Sequence, residues 1–136
     1  YPFFGSAPAT RLLELLNEIE NGEKNEVILN KKKLRNAITT AVTLGLAYRN
    51  NGDIELSVDP SLINLEYEIA NRVLQTETIQ LIAKYFDENK DLPKRDWVGK
   101  RVNELLNKNW IASSEKRNGS ALLNWYIWKI KKIEMT

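Results

Sequence analysis

The chain has 136 residues, 43% hydrophobic and 28% charged, with a formal net charge of +2; at this length roughly two-thirds of the unfolded surface is buried, enough for one domain or two small units sharing a core. It contains neither Cys nor His, which excludes disulfides, thiolate nucleophiles, zinc fingers, Ser-His-Asp hydrolysis and His-ligated metals. No apolar run approaches the ~20 residues of a membrane span, so no membrane association is expected and the expected location is cytoplasmic.

Residues 1–9 read as an N-terminal extension. Ala7-Pro8-Ala9 imitates a signal-peptidase site, but neither a basic segment nor a long apolar one precedes it. With no initiator Met, the expectation is a fragment of a longer protein. From Thr10 to Asn21, Leu12, Leu15, Leu16 and Ile19 share one helical face, with Thr10 as the expected N-cap and Gly22 as the stop. Val27-Ile28-Leu29 is strand-like. Lys31 to Leu44 reads as a helix with Leu34, Ile38, Ala41 and Val42 inward, closed by Gly45. Leu46-Ala47-Tyr48 and Ile54-Glu55-Leu56 flank Asn51-Gly52, a strong hairpin signal.

Asp59-Pro60 predicts a cap and first-turn proline for a connecting helix with Leu62, Leu65, Ile69 and Val73 on one side. Thr76 is the expected cap of the next helix, where Ile79, Ile82, Ala83 and Phe86 repeat the helical spacing. Leu92-Pro93 ends it, and an amphipathic helix follows from Arg95 to Asn107 with Val98, Val102, Leu105 and Leu106 inward. Beyond Trp110-Ile111-Ala112, the polar stretch Ser113 to Ser120 with its Asn118-Gly119 pair predicts a loop. Leu122 to Ile130 then reads as a long strand, with apolar residues on both alternating faces.

The spacing of Leu34, Ile38, Ala41, Val42 and Leu46 recurs in Val98, Val102, Leu105, Leu106 and Trp110. Each half is therefore read as helix, connector, helix, hairpin, the order of a helix-turn-helix unit ending in a wing. The stretch Arg95 to Ile111, followed by Ala112 to Trp128, resembles the recognition helix, turn and wing of winged-helix DNA-binding domains. Lys33-Leu34 to Leu56 looks like a more degenerate copy. In both, the usual middle helix is shortened, around 25–30 and 87–93. The resemblance implies an α+β fold, mainly α, with tandem winged-helix-like units and short β-hairpin wings. The units are placed at 10–58 and 76–136, joined by the connecting helix at 59–75.

What the resemblance implies for function is double-stranded DNA binding. Projected at 100° per residue, the outward face of the Arg95 helix carries Asp96, Lys100, Asn103 and Asn107. Asn can pair with adenine and Lys with guanine, while Lys94, Arg95 and Arg101 lie where phosphates would pass. Lys116 and Arg117 form the expected wing tip. In the first copy the corresponding residues are Lys31, Lys32, Lys33, Arg35 and Asn36, with Thr39 and Thr43 beside them. Charge supports the second copy as leader. From Lys94 to Lys132 ten basic residues face Asp96, Glu104 and Glu115, a net +7 within a chain of +2.

Catalysis is not expected. The six glycines are scattered and none precedes Lys-Ser or Lys-Thr, which removes a phosphate-cradling loop. Glu88-Asn89-Lys90 falls at a helix end, and Asp53 with Glu55 lacks a third carboxylate for a metal. No cofactor or metal is implied. The expected partners are double-stranded DNA and either other domains of a longer parent chain or a homodimer partner. That parent would be a restriction-type nuclease, a replication initiator or a transcription regulator. The rival reading is a winged-helix protein-protein module in a multi-subunit complex, docking through the Trp-rich segment.

Overall fold

The structure, a computed structural model, describes residues 7–22, 31 and 34–134. The strand-like Val27-Ile28-Leu29, the shortened helix at 25–30, and Lys32 and Lys33 lie outside these residues. Among the described residues the order is α1 (Ala9–Glu20), α2 (Arg35–Thr43), β1 (Ala47–Asn50), β2 (Asp53–Leu56), α3 (Leu65–Leu74), α4 (Glu77–Asn89), α5 (Arg95–Leu106) and α6 (Ala112–Glu134). The fold is mainly helical with one short antiparallel hairpin, as the sequence predicts at that level.

α1 buries Leu12, Leu15 and Leu16 as its spacing requires, and Gly22 stops it with φ 77°. Its start lies earlier than Thr10 implies. Pro8 occupies the cap position, its carbonyl accepting from Arg11 and Leu12. α2 buries Ala37, Ile38, Thr40 and Ala41. Thr40 tolerates full burial because its hydroxyl donates to the Asn36 carbonyl at 3.0 Å. Val42, expected inward, is exposed. α2 ends in a Schellman motif, with Leu46 N–H donating to Ala41 O and Gly45 N–H to Val42 O. The hairpin follows at once, pairing Ala47 with Leu56 and Asn50 with Asp53. Its turn residues Asn51 and Gly52 both have positive φ, 52° and 89°, the requirement of a type I′ turn.

The connecting helix starts later than Asp59-Pro60 predicts. The Asp59 carboxylate accepts from the Ser61 N–H at 3.0 Å and its hydroxyl at 2.6 Å, bonds that lower the Asp59 pKa. The result is a local turn that leaves Leu62 80% exposed. Asn64, whose side chain accepts from Tyr67 N–H, caps α3 instead. Thr76 does precede α4, but its hydroxyl donates to Val73 O rather than capping.

The largest departure is α6. Residues 112–134 form one helix where a wing loop and a strand are predicted, so the second unit has no β wing. The two periods compete in this stretch. Asn118, Gly119, Leu122, Trp125, Tyr126 and Lys129 are the buried positions, at helical spacing. Asn118-Gly119 looks like a turn signal, yet Gly119 has another role. A Cβ there would lie 2.1 Å from the Arg95 carbonyl oxygen, and one at Gly99 would lie 2.0 Å from that of Glu115. The glycines let α5 and α6 cross backbone against backbone, running antiparallel.

α6 is the axis on which α3, α4 and α5 pack, while α1, α2 and the hairpin pack together beside them. One continuous core joins both groups. Trp125 ties them further by donating its indole N–H to the Ala7 carbonyl at 2.7 Å. Arg72 on α3 donates to the Leu44 carbonyl at the end of α2 at 2.8 Å and pairs with Glu68.

Candidate nucleic-acid interface

The antiparallel pair α5 and α6 carries most of the predicted contact residues, and the structure sorts them into three groups. The first is inward. Asn103 is half-buried, and its side chain accepts from the Trp110 N–H at 3.0 Å while donating to the Trp110 carbonyl at 3.2 Å and Glu115 at 2.8 Å. This amide is therefore occupied within the fold. Asn107, by contrast, stays exposed. It ends α5 in the left-handed conformation, φ 51°, a geometry Asn adopts more readily than most residues.

The second group is exposed but paired. Arg101 lies over the Trp97 ring, 5.6 Å from its centroid, and its guanidinium is 3.5 Å from Glu104. Arg95 is 4.0 Å from Asp96. The third group is exposed without an ion pair to any described residue: Lys94, Lys100, Lys108, Lys116 and Arg117. Lys94 precedes α5, Lys100 and Lys116 sit beside the Gly99–Glu115 crossing, and Lys108 lies in the connecting turn. Lys116 and Arg117 stand on the second turn of α6, not on a hairpin tip.

In the first unit Lys31 is drawn to Glu18 of α1, which withdraws it from the predicted surface. Arg35 and Asn36 are exposed at the start of α2, as is Thr39 one turn on. Arg49, exposed on the hairpin, is not among the predicted contacts, although the Asn-Gly turn two residues later marks the hairpin that carries it. Glu55 across the hairpin accepts from Asn50 at 3.1 Å and from the Tyr48 hydroxyl, raising the Tyr48 pKa. Among the described residues no three His, Cys, Asp or Glu side chains gather to hold a metal ion.

The chain matches no family model, no curated protein and no solved structure.

A second surface feature lies between α4 and α5. Leu81, Lys84, Tyr85, Glu88, Trp97 and Arg101 line a shallow groove, in which the Tyr85 and Trp97 rings meet at 4.7 Å. The groove adjoins a more apolar one that reaches Leu105. Leu105, predicted inward by its spacing, is 47% exposed. The aromatic residues of α6 pack within the fold. Trp125 and Tyr126 are buried, and Trp128 stacks edge-on against Trp125 at 5.5 Å.

Proposed function

We propose that this chain binds double-stranded DNA and serves as the DNA-contacting part of a larger protein, of the restriction-nuclease, replication-initiator or transcription-regulator kind. One observation carries this reading. Between Lys94 and Arg117 the three acids Asp96, Glu104 and Glu115 are all engaged within the fold, while Lys94, Lys100, Lys108, Lys116 and Arg117 are exposed and have no ion pair to a described residue. Cations left unneutralised along one helical hairpin favour a phosphate-rich partner.

With the Asn103 amide bonded within the fold, the way such binding would work changes. The α5–α6 pair supplies phosphate contacts, which set affinity and register but carry little sequence information. Any reading of base edges falls to α2, with Arg35, Asn36 and Thr39 outward and Arg49 on the adjoining hairpin. A helix followed directly by a hairpin supports this part of the reading.

Fluorescence anisotropy with labelled duplexes at several salt concentrations tests the reading. Five phosphate contacts give a slope of log affinity against log salt of about −4.5, and Lys100→Glu with Lys116→Glu should reduce it by about 2. Thermal stability should not change, since both side chains are exposed. A salt-independent signal, or one untouched by the double variant, would reject this interface. The groove between α4 and α5 favours the rival reading, a protein-docking module. In that case Leu105→Ala would weaken partner binding and the charge reversals would not.

A further inference from the structure

The turn joining α5 to α6, residues 107–111, is fixed on both sides. Asn107 and Asn109 take left-handed conformations, φ 51° and 58°. Asn103 bonds both backbone groups of Trp110 and also reaches Glu115 on α6. Lys108 N–H donates to the Asn103 carbonyl, and Glu115 N–H to that of Ile111. At the end of this braced segment Ile111 is 70% exposed. A mobile loop could fold such a side chain inward. Here the backbone holds it out.

The basic residues nearest it in sequence are exposed. Lys108, Lys116 and Arg117 are exposed without an ion pair to a described residue, whereas Glu104 and Glu115 are held by Arg101 and Asn103. An apolar point with exposed cations at Lys108, Lys116 and Arg117 on either side of it in sequence complements a surface that alternates anionic walls with apolar slots. Duplex DNA is such a surface, with phosphates along the groove and stacked bases at its floor.

We propose that residues 107–111 form a preorganised wedge that enters the minor groove, Ile111 partly unstacking one base step while Lys108, Lys116 and Arg117 hold the flanking phosphates. The proposal rests on the DNA-binding reading and adds a mode of engagement to it. Rigidity is essential to a wedge, because ordering a loop on binding would consume the free energy needed to unstack bases. DNA bound in this way is kinked, and pyrimidine–purine steps, which deform most easily, are preferred.

The test follows anisotropy and end-to-end resonance energy transfer in one titration of the whole chain into a doubly labelled duplex, with phosphatidylserine vesicles as a parallel target. Binding by the wild type should increase transfer. Ile111→Ser, at an exposed position that leaves the melting temperature unchanged, should abolish that increase while weakening binding less than about tenfold; Lys108→Glu with Lys116→Glu should weaken it more than that. Binding with a transfer change that survives Ile111→Ser overturns the wedge and leaves the DNA reading intact. No anisotropy change with the wild type overturns both. Vesicle binding that depends on Ile111, without duplex binding, replaces DNA by an anionic lipid surface.

Discussion

Gly99 and Gly119 show how one missing carbon sets the distance between two helices. In an isolated helix Ala is preferred to Gly by about 1 kcal/mol. Here a Cβ would sit 2.0 Å from the Glu115 backbone oxygen or 2.1 Å from that of Arg95, and backbone cannot swing aside as a side chain can. Steric cost therefore wins. Gly119→Ala should destabilise the chain by about 3 kcal/mol in urea unfolding; an unchanged midpoint would mean that α5 and α6 do not cross this closely. Asn103 is the second residue of this kind. It makes three side-chain hydrogen bonds, one to a carboxylate. At about 0.5–1.5 kcal/mol each, Asn103→Ala should cost about 2–3 kcal/mol. Faster amide exchange at Trp110 would accompany the loss.

Among the elements, the hairpin and α6 mark the two extremes of what local pattern conveys. The hairpin was legible because Asn51-Gly52 demands positive φ at both positions, and few other residues satisfy it. Gly52→Ala should accordingly cost about 1 kcal/mol, read from the shift in thermal midpoint, although a Cβ there meets nothing within 4 Å. α6 was not legible. Leu122 to Ile130 satisfies both an alternating and a helical period, and its β-branched and aromatic residues tilt the local balance toward strand. What selects the helix is its packing against α3, α4 and α5, with Leu122, Trp125 and Tyr126 buried at helical spacing. The same ambiguity moved Lys116 and Arg117 from a wing tip to a helix turn. It also concealed Asn103, whose outward position on a helical wheel says nothing about the turn that folds back over it.

At the level of the whole molecule, Lys129 measures how much the packing around α6 demands. Burial lowers its pKa, opposed in part by Asp87, and its ammonium lies 5.1 Å from the centre of the Tyr126 ring. With the folded pKa depressed, the unfolded chain binds more protons between that value and the usual lysine value, so this contribution to stability rises with pH across the interval. Below it the penalty is complete. Lys129→Met should therefore be more stable than the wild type at neutral pH, and the gap should close as pH approaches the usual lysine value. Chemical denaturation of both proteins across that range checks it, and a gap constant with pH would place the ammonium in water.

Composition and short-range pattern were sufficient for the absence of thiol and imidazole chemistry, the mainly helical class, the buried Leu12, Leu15 and Leu16 of α1, Ile69 and Val73 of α3 and Ile79 and Ile82 of α4, and the tight hairpin. Each depends on residues within a few positions of one another, where steric rules and helical periodicity act before any distant contact forms. Tertiary structure alone decided the conformation of residues 112–134, the use of Asn103 as an internal brace, and which cations remain free. Those outcomes depend on which partner surface a side chain meets. Arg101 and Lys100 are neighbours of like charge in sequence; Arg101 meets Trp97 one helical turn back, where Tyr85 of α4 packs against that ring, while Lys100 stays exposed.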